Sequence, residues 1–230
     1  MSKHILFDID DTLFPSTEFS ALARKNAINA MISMGLEESY EALNRRLEGI
    51  IRRKGSNYER HFDDLCRGLE VKSPGRYIAA AIGAYHDTKT AIAPFPRVPR
   101  TLMTLRERGY HLHIATQGSS IKQWDKLIRL RIALYFEDVF VSDEMGEGKG
   151  PAFYKKILSS LRAKPPDCMM VGDREDYDIA PAKAIGIRTA RIISGKHAAV
   201  PSRAELRFED ISGLLSVLKP LKSVQSNTRP

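Results

Sequence analysis

Carboxylates, a hydroxyl and an amine recur where short apolar runs end. Asp8-Ile9-Asp10-Asp11-Thr12 stands at the end of the run 4–9, and Thr116-Gln117-Gly118 follows the run 110–115. Gly172-Asp173 follows the run 168–171, with Asp178 five residues after Asp173. Lys149 is framed by Gly148 and Gly150 just before Pro151. Ligands of an open parallel sheet bind beyond the carboxyl ends of its strands, so topology predicts that these groups meet at one edge. Several carboxylates in one crevice repel each other unless a cation neutralises them, and hard oxygen ligands select Mg²⁺. A carboxylate within reach of an electrophilic phosphorus can act as a covalent nucleophile, forming an aspartyl-phosphate. A second carboxylic acid can protonate the leaving oxygen and later activate water. A threonine hydroxyl and a lysine ammonium supply donors for the transferring oxygens.

Those groups need a scaffold, and the pattern of apolar residues supplies one. Strand character appears over 4–9, 110–115, 138–141, 168–171 and 188–193. From about residue 94 onward strands alternate with helical periods, which argues for a parallel α/β sheet with helices on its faces. The period over 98–108 puts Leu102 and Leu105 on one face and stops at Gly109. A helix over 119–131 is expected to turn Ile121, Trp124, Leu127 and Ile128 inward, and Pro151 opens one with a stripe of Phe153, Ile157, Leu158 and Leu161.

Residues 16–93 show only helical periods. Ser16 is expected to cap a helix carrying Phe19, Leu22, Ala23 and Met31, closed by Gly35. A second uses Leu43, Leu47, Ile50 and Ile51 and ends before Gly55, a third uses Tyr58, Phe62, Leu65 and Leu69, and Ser73-Pro74 starts a fourth. The proline-rich stretch 93–99 reads as a hinge. The expected domains are therefore a core of 1–15 and 94–221, a helical insert at 16–93, and a disordered polar tail at 222–230.

Composition bounds the function. Of 230 residues, 43% are hydrophobic and 28% charged, an ordinary globular balance that excludes wholesale disorder or a disulfide scaffold. The net charge of +8 is spread along the chain beside Glu and Asp, so neither nucleic acid nor a membrane is expected as a partner, and the charge is compatible with any anionic substrate. Cys66 and Cys168 are expected to be free thiols in a reducing compartment, and no apolar run approaches a transmembrane length or a signal-peptide core, so a cytoplasmic protein is expected. The six histidines show no metal-ligand spacing.

Asp8-Ile9-Asp10-Asp11-Thr12-Leu13 resembles motif I of the haloacid dehalogenase (HAD) superfamily, Asp-x-Asp-x-Thr after a hydrophobic strand. Ile114-Ala115-Thr116 is similar to motif II, Lys149 sits where motif III has its lysine, and Gly172-Asp173 with Asp178 resembles motif IV. The four occur in order and span the core, and the helical insert lies where this family places a C1-type cap. The resemblance implies a Rossmann-like parallel sheet of the HAD fold with an inserted all-helical cap domain. The stretch from Thr116 to Glu144 is similar to archaeal small-molecule phosphatases and the related 5′-nucleotidases.

Carried over by that resemblance, Asp8 is the nucleophile and Asp10 the general acid/base. The Asp8 side chain, the Asp10 main-chain carbonyl and Asp173 hold Mg²⁺, with Asp178 beside it. Thr116, Gln117 and Lys149 bind the phosphoryl group, and Thr12 braces the turn. Two departures stand out: Lys149-Gly150-Pro151 replaces the usual Lys-Pro-Asp-Pro, and Gln117 stands where Asn is usual. The implied activity is a Mg²⁺-dependent phosphatase for a small phosphorylated metabolite. The alternatives are a 2-haloacid dehalogenase, which lacks an acid at the Asp10 position, and an idle HAD fold, which would have lost a motif carboxylate. The segment 14–17 and the first helix of the insert are the expected specificity contacts. The sequence names neither the substrate nor the oligomeric state.

Overall fold

Apolar residues outnumber polar ones in the strands, as in sheets buried on both faces. In the computed structural model, which describes residues 3–56 and 58–221, the strands are β1 (His4–Phe7), β2 (His111–Thr116), β3 (Asp138–Val141), β4 (Cys168–Gly172), β5 (Arg188–Ile192) and β6 (Leu206–Phe208). They form one parallel sheet in the order β3-β2-β1-β4-β5-β6. That is a Rossmann-like α/β sheet whose order reverses between β1 and β4, the place where such sheets bind ligands. β1 stops at Phe7, so Asp8 and Ile9 begin the loop beyond it. β6 has no counterpart in the apolar pattern, because its Leu206 and Phe208 flank an exposed Arg207 and are only half-buried.

The chain divides into two compact units, one running to Thr17 and resuming at Ala93, the other Glu18–Ile92. Unit two is built by α1 (Ser16–Ser33), α2 (Tyr40–Lys54), α3 (His61–Arg67) and α4 (Pro74–Lys89). Ala27, Ile28, Met31, Leu43, Leu47, Leu65, Cys66, Tyr77 and Ala81 close a separate apolar core there. Ser39 caps α2 by accepting from Ala42 N–H at 3.2 Å. Ser16 lies within α1 rather than ahead of it, and Leu22 faces solvent. The first unit adds α5 (Val98–Glu107), α6 (Ser120–Arg129), α7 (Ser142–Met145), α8 (Pro151–Leu161), α9 (Ala180–Lys183) and α10 (Leu214–Val217). Phe153, Tyr154 and Ile157 of α8 and Ala182 of α9 pack with Leu6, Ala115 and Met170 of the central strands. Residues 222–230, expected to be disordered, lie outside the described residues.

α6 buries only part of the expected stripe. Leu127 is fully buried and Gln123 nearly so, while Ile121 and Ile128 are 82% and 64% exposed and Trp124 is 38% exposed. The rotation that leaves Ile121 and Ile128 outside points Gln123 to Gln117 C=O and Lys126 to Asp10.

Candidate active site

β1 and β4 are neighbours, paired Phe7 with Val171, so the residues that follow them leave the sheet side by side. Asp8 N–H still donates to Val171 C=O at 2.9 Å, which extends the ladder by one residue and aims the Asp8 side chain from the strand end. Asp178 comes from a π-helical turn, Glu175–Ile179, a distortion common at functional sites. Gly172 makes room for it: a β-carbon there would collide with the Asp178 carboxylate. Asp178 Oδ2 accepts from Arg174 N–H at 2.9 Å, which pins the turn back on its own start.

Asp8, Asp173 and Asp178 are all buried, and each offers a carboxylate oxygen within 4.8 Å of the others. Lys149 is buried among them, its Nζ 2.9 Å from Asp8 Oδ1 and also bonded to Asp178 Oδ1. Burial pushes the Asp8 carboxyl up to about 7, Lys149 opposing and Asp178 and Asp10 reinforcing the shift. Burial also carries Asp173 up to about 9, with repulsion from Asp8, Asp178 and Asp11 added. Burial alone would depress the Lys149 ammonium, but the carboxylates of Asp178 and Asp8 outweigh it and hold the amine charged. Three buried carboxylates against one buried ammonium leave the cluster short of positive charge. A divalent cation with a preference for hard oxygen fits that donor set.

The other anticipated residues divide. Thr116 is buried at the carboxyl end of β2, and the pairing of Phe7 with Ile114 delivers it to the same edge as Asp8. Gln117 accepts from Lys149 N–H at 2.7 Å through Oε1, so the residue in place of the usual Asn braces the shortened Lys149 loop. Asp10 is drawn out of the carboxylate cluster. Its side chain is 39% exposed, and both oxygens contact Lys126 Nζ, at 2.7 and 2.6 Å. Asp11 serves structure: its carboxylate accepts from Thr17 N–H at 2.9 Å and from the Thr17 hydroxyl. Thr12 closes the turn through its main-chain N–H, 3.4 Å from Ile9 C=O, and its buried hydroxyl finds no partner among the described residues. Asp176 pairs with Arg174 and Glu175 accepts from Arg203 N–H, so both are engaged elsewhere. Burial pushes the Cys168 thiol up to about 12, which leaves it inert.

Four contributors escaped the sequence reading. Lys126 holds Asp10, and Gln123 bridges from Gln117 C=O (2.9 Å) to Lys126 (3.3 Å). Tyr154 donates to Tyr177 C=O at 2.9 Å beside Lys149, and burial holds its phenol well above the ordinary value. Arg191, fully buried on β5, donates from Nε to Asp173 C=O at 2.9 Å and from its other nitrogens to His197 and Val200 C=O, both at 2.6 Å. The only signal for Gln123 and Lys126 was their i, i+3 spacing on the first turns after Thr116, which no apolar period reveals.

Residues 5–192 match the family described as haloacid dehalogenase-like hydrolase. The chain belongs to the haloacid dehalogenase-like hydrolases. It is similar to glyceraldehyde 3-phosphate phosphatase of Methanopyrus kandleri, 46% identical over 201 residues that cover 86% of each chain. The protein of that name from Methanocaldococcus jannaschii is 41% identical over 226 residues, covering 96% of this chain and 99% of its own. Among solved structures, the HAD phosphatase from Thermococcus onnurineus superposes with a TM-score of 0.69 at 21% identity, covering 96% of this chain and 100% of that one. The 2-haloacid dehalogenase from Pseudomonas syringae gives 0.63 at 23%, covering 94% and 98%, so the fold spans both chemistries. The close sequence relatives place this haloacid dehalogenase-like hydrolase among the phosphatases. Among the described residues, no helix is long and apolar enough to cross a membrane.

Proposed function

We propose that this HAD phosphatase hydrolyses a small phosphomonoester through an aspartyl-phosphate on Asp8, with glyceraldehyde 3-phosphate, named for its relatives, as the first substrate to test. One observation carries the reading: the buried cluster of Asp8, Asp173 and Asp178 around Lys149. An Asp8 oxygen attacks phosphorus, the phosphorus–oxygen bond of the ester breaks, and Asp10 gives its proton to the departing oxygen. Asp10 then takes a proton from water as that water attacks phosphorus and frees Asp8, releasing inorganic phosphate. Lys149, Thr116 and the amide NH₂ of Gln117 are the donors for the phosphoryl oxygens. Mg²⁺, held by Asp8, the Asp10 main-chain carbonyl, Asp173 and Asp178, would supply charge neutralisation for the phosphoryl group. The two-domain organisation, a core of 1–15 and 94–221 and a C1-type cap at 16–93, completes the reading.

An intact set of motif carboxylates favours hydrolysis over an idle fold, and the acid at position 10 favours phosphatase over dehalogenase chemistry. Phosphate release from glyceraldehyde 3-phosphate and from an aryl phosphate, with Mg²⁺ and with excess chelator, tests it. Metal-dependent release that falls on the order of 10⁴-fold or more in Asp8→Asn is expected. A folded Asp8→Asn enzyme that keeps full turnover sinks the mechanism. Asp173→Ala should raise the Mg²⁺ concentration needed for half-maximal rate, and an unchanged requirement removes Asp173 from the metal set.

A further inference from the structure

Lys126 stands at this edge of the sheet, and neither the motifs nor the reaction above employs it. It projects from the second turn of α6, and its ammonium meets both oxygens of Asp10, at 2.7 and 2.6 Å. The ammonium is itself held. Gln123 Oε1 lies 3.3 Å away, Gln123 is fixed by donating to Gln117 C=O at 2.9 Å, and the Phe14 ring centroid stands 5.8 Å from Nζ. Gln123 is buried and the Lys126 side chain only one-quarter exposed, so this is a supported arrangement rather than a loose surface pair. Asp10 needs such support. It follows the strand by three residues, its carboxylate stands outside the buried acid cluster, and its own side chain is more exposed than its partner's.

We propose that Lys126 is a positioning residue for Asp10, fixing the plane of its carboxyl so that the proton reaches the leaving oxygen in one orientation. Two contacts to one carboxyl remove its rotation. When one oxygen carries the proton, the ammonium keeps the other, leaving the first free to donate. The proposal rests on the reading of Asp10 as the acid/base. A misplaced catalytic group costs up to about 10²-fold in rate, within the range that general acid–base catalysis supplies.

Leaving-group dependence tests it, because p-nitrophenolate departs without a proton whereas an alkoxide does not. In the Mg²⁺-loaded full-length enzyme, Lys126→Gln should lower kcat/KM for glyceraldehyde 3-phosphate by about 30- to 100-fold. The same variant should lower kcat/KM for p-nitrophenyl phosphate by less than about 3-fold, and Lys126→Arg, which keeps the charge and the donors, should recover most of the alkyl-ester rate. Asp10→Asn should show the same discrimination, and adding Lys126→Gln to it should cost nothing further. Equal losses on both esters, or an added loss in the double variant, overturn the role of Lys126 while leaving Asp10's intact. Asp10→Asn without discrimination between the esters overturns the acid/base reading and this proposal with it. A thermal melt of each variant, with Lys126→Arg as the conservative partner, separates these outcomes from a failure to fold.

Discussion

Lys149 sets the energetics of the site. It pairs with two of three buried carboxylates, and its removal would leave all three without a buried counter-charge. Breaking a buried pair from one side costs more than the pair contributes, about 3–5 kcal/mol. Lys149→Met should therefore lower the free energy of unfolding by about that much in chelator, measured by urea denaturation. Mg²⁺ should return part of the loss, since a ligand bound only by the folded state stabilises it. A cost under about 1 kcal/mol would mean that the carboxylates accept protons instead of depending on the lysine. Burial raising Asp8 and Asp173 makes that the physical competitor.

At the scale of the element, α6 serves both the core and the site. The helix buries Leu127 and Gln123, sends Lys126 to Asp10, and leaves Ile121 and Ile128 to solvent. A rotation that buried the isoleucines would withdraw Gln123 from Gln117 and Lys126 from the strand end. The orientation predicts opposite outcomes for adjacent residues. Leu127→Ala should cost about 2–5 kcal/mol, as a cavity in a packed core does. Ile128→Ser should stay within about 0.5 kcal/mol, the ordinary range for a surface position. Unfolding of the two variants side by side checks this, and a larger cost at Ile128 would return the helix to the orientation expected from its hydrophobicity.

For the whole molecule, the amino end of the sheet holds histidines whose contribution to stability depends on pH. His113 is buried, its Nε2 is 3.1 Å from His4 Nδ1 and its Nδ1 is 3.0 Å from Asp138. Burial lowers His113, with His4 adding to the effect and Asp138 and Glu137 opposing it. Burial lowers His4 too, with His111 and Lys3 adding and Glu137 and Asp167 opposing. Both folded values lie below the unfolded value of about 6.5, so the unfolded chain binds more protons on acidification. Their contribution is complete above pH 6.5 and is lost as pH falls below it toward the folded values. Asp8 and Asp173, raised by burial, act in the opposite sense, so the histidine share is read as a difference: the unfolding free energy of the wild type relative to His113→Gln should decline between pH 6.5 and 5. An unchanged slope in that variant would assign the acid sensitivity to other groups.

Local chemistry made much of this protein legible from its sequence. Apolar runs specify five of the strands, because a strand buried on both faces needs no partner to declare itself, and β4 and β5 were met within a residue at either end. The acids at the strand ends were readable for the same reason: a polar residue directly after a buried strand must leave the sheet where ligands bind. Asp8, Asp173, Asp178 and Lys149 accordingly meet in one buried cluster. Tertiary structure alone decided the rest. β6 exists because β5 offers it an edge, not because its three residues favour a strand. Gln117 turned out to brace a loop 32 residues away, and Lys126 found a carboxylate 116 residues away. Neither contact leaves a periodic trace, because a polar side chain is placed by where its partner stands in space and not by the residues beside it in the chain.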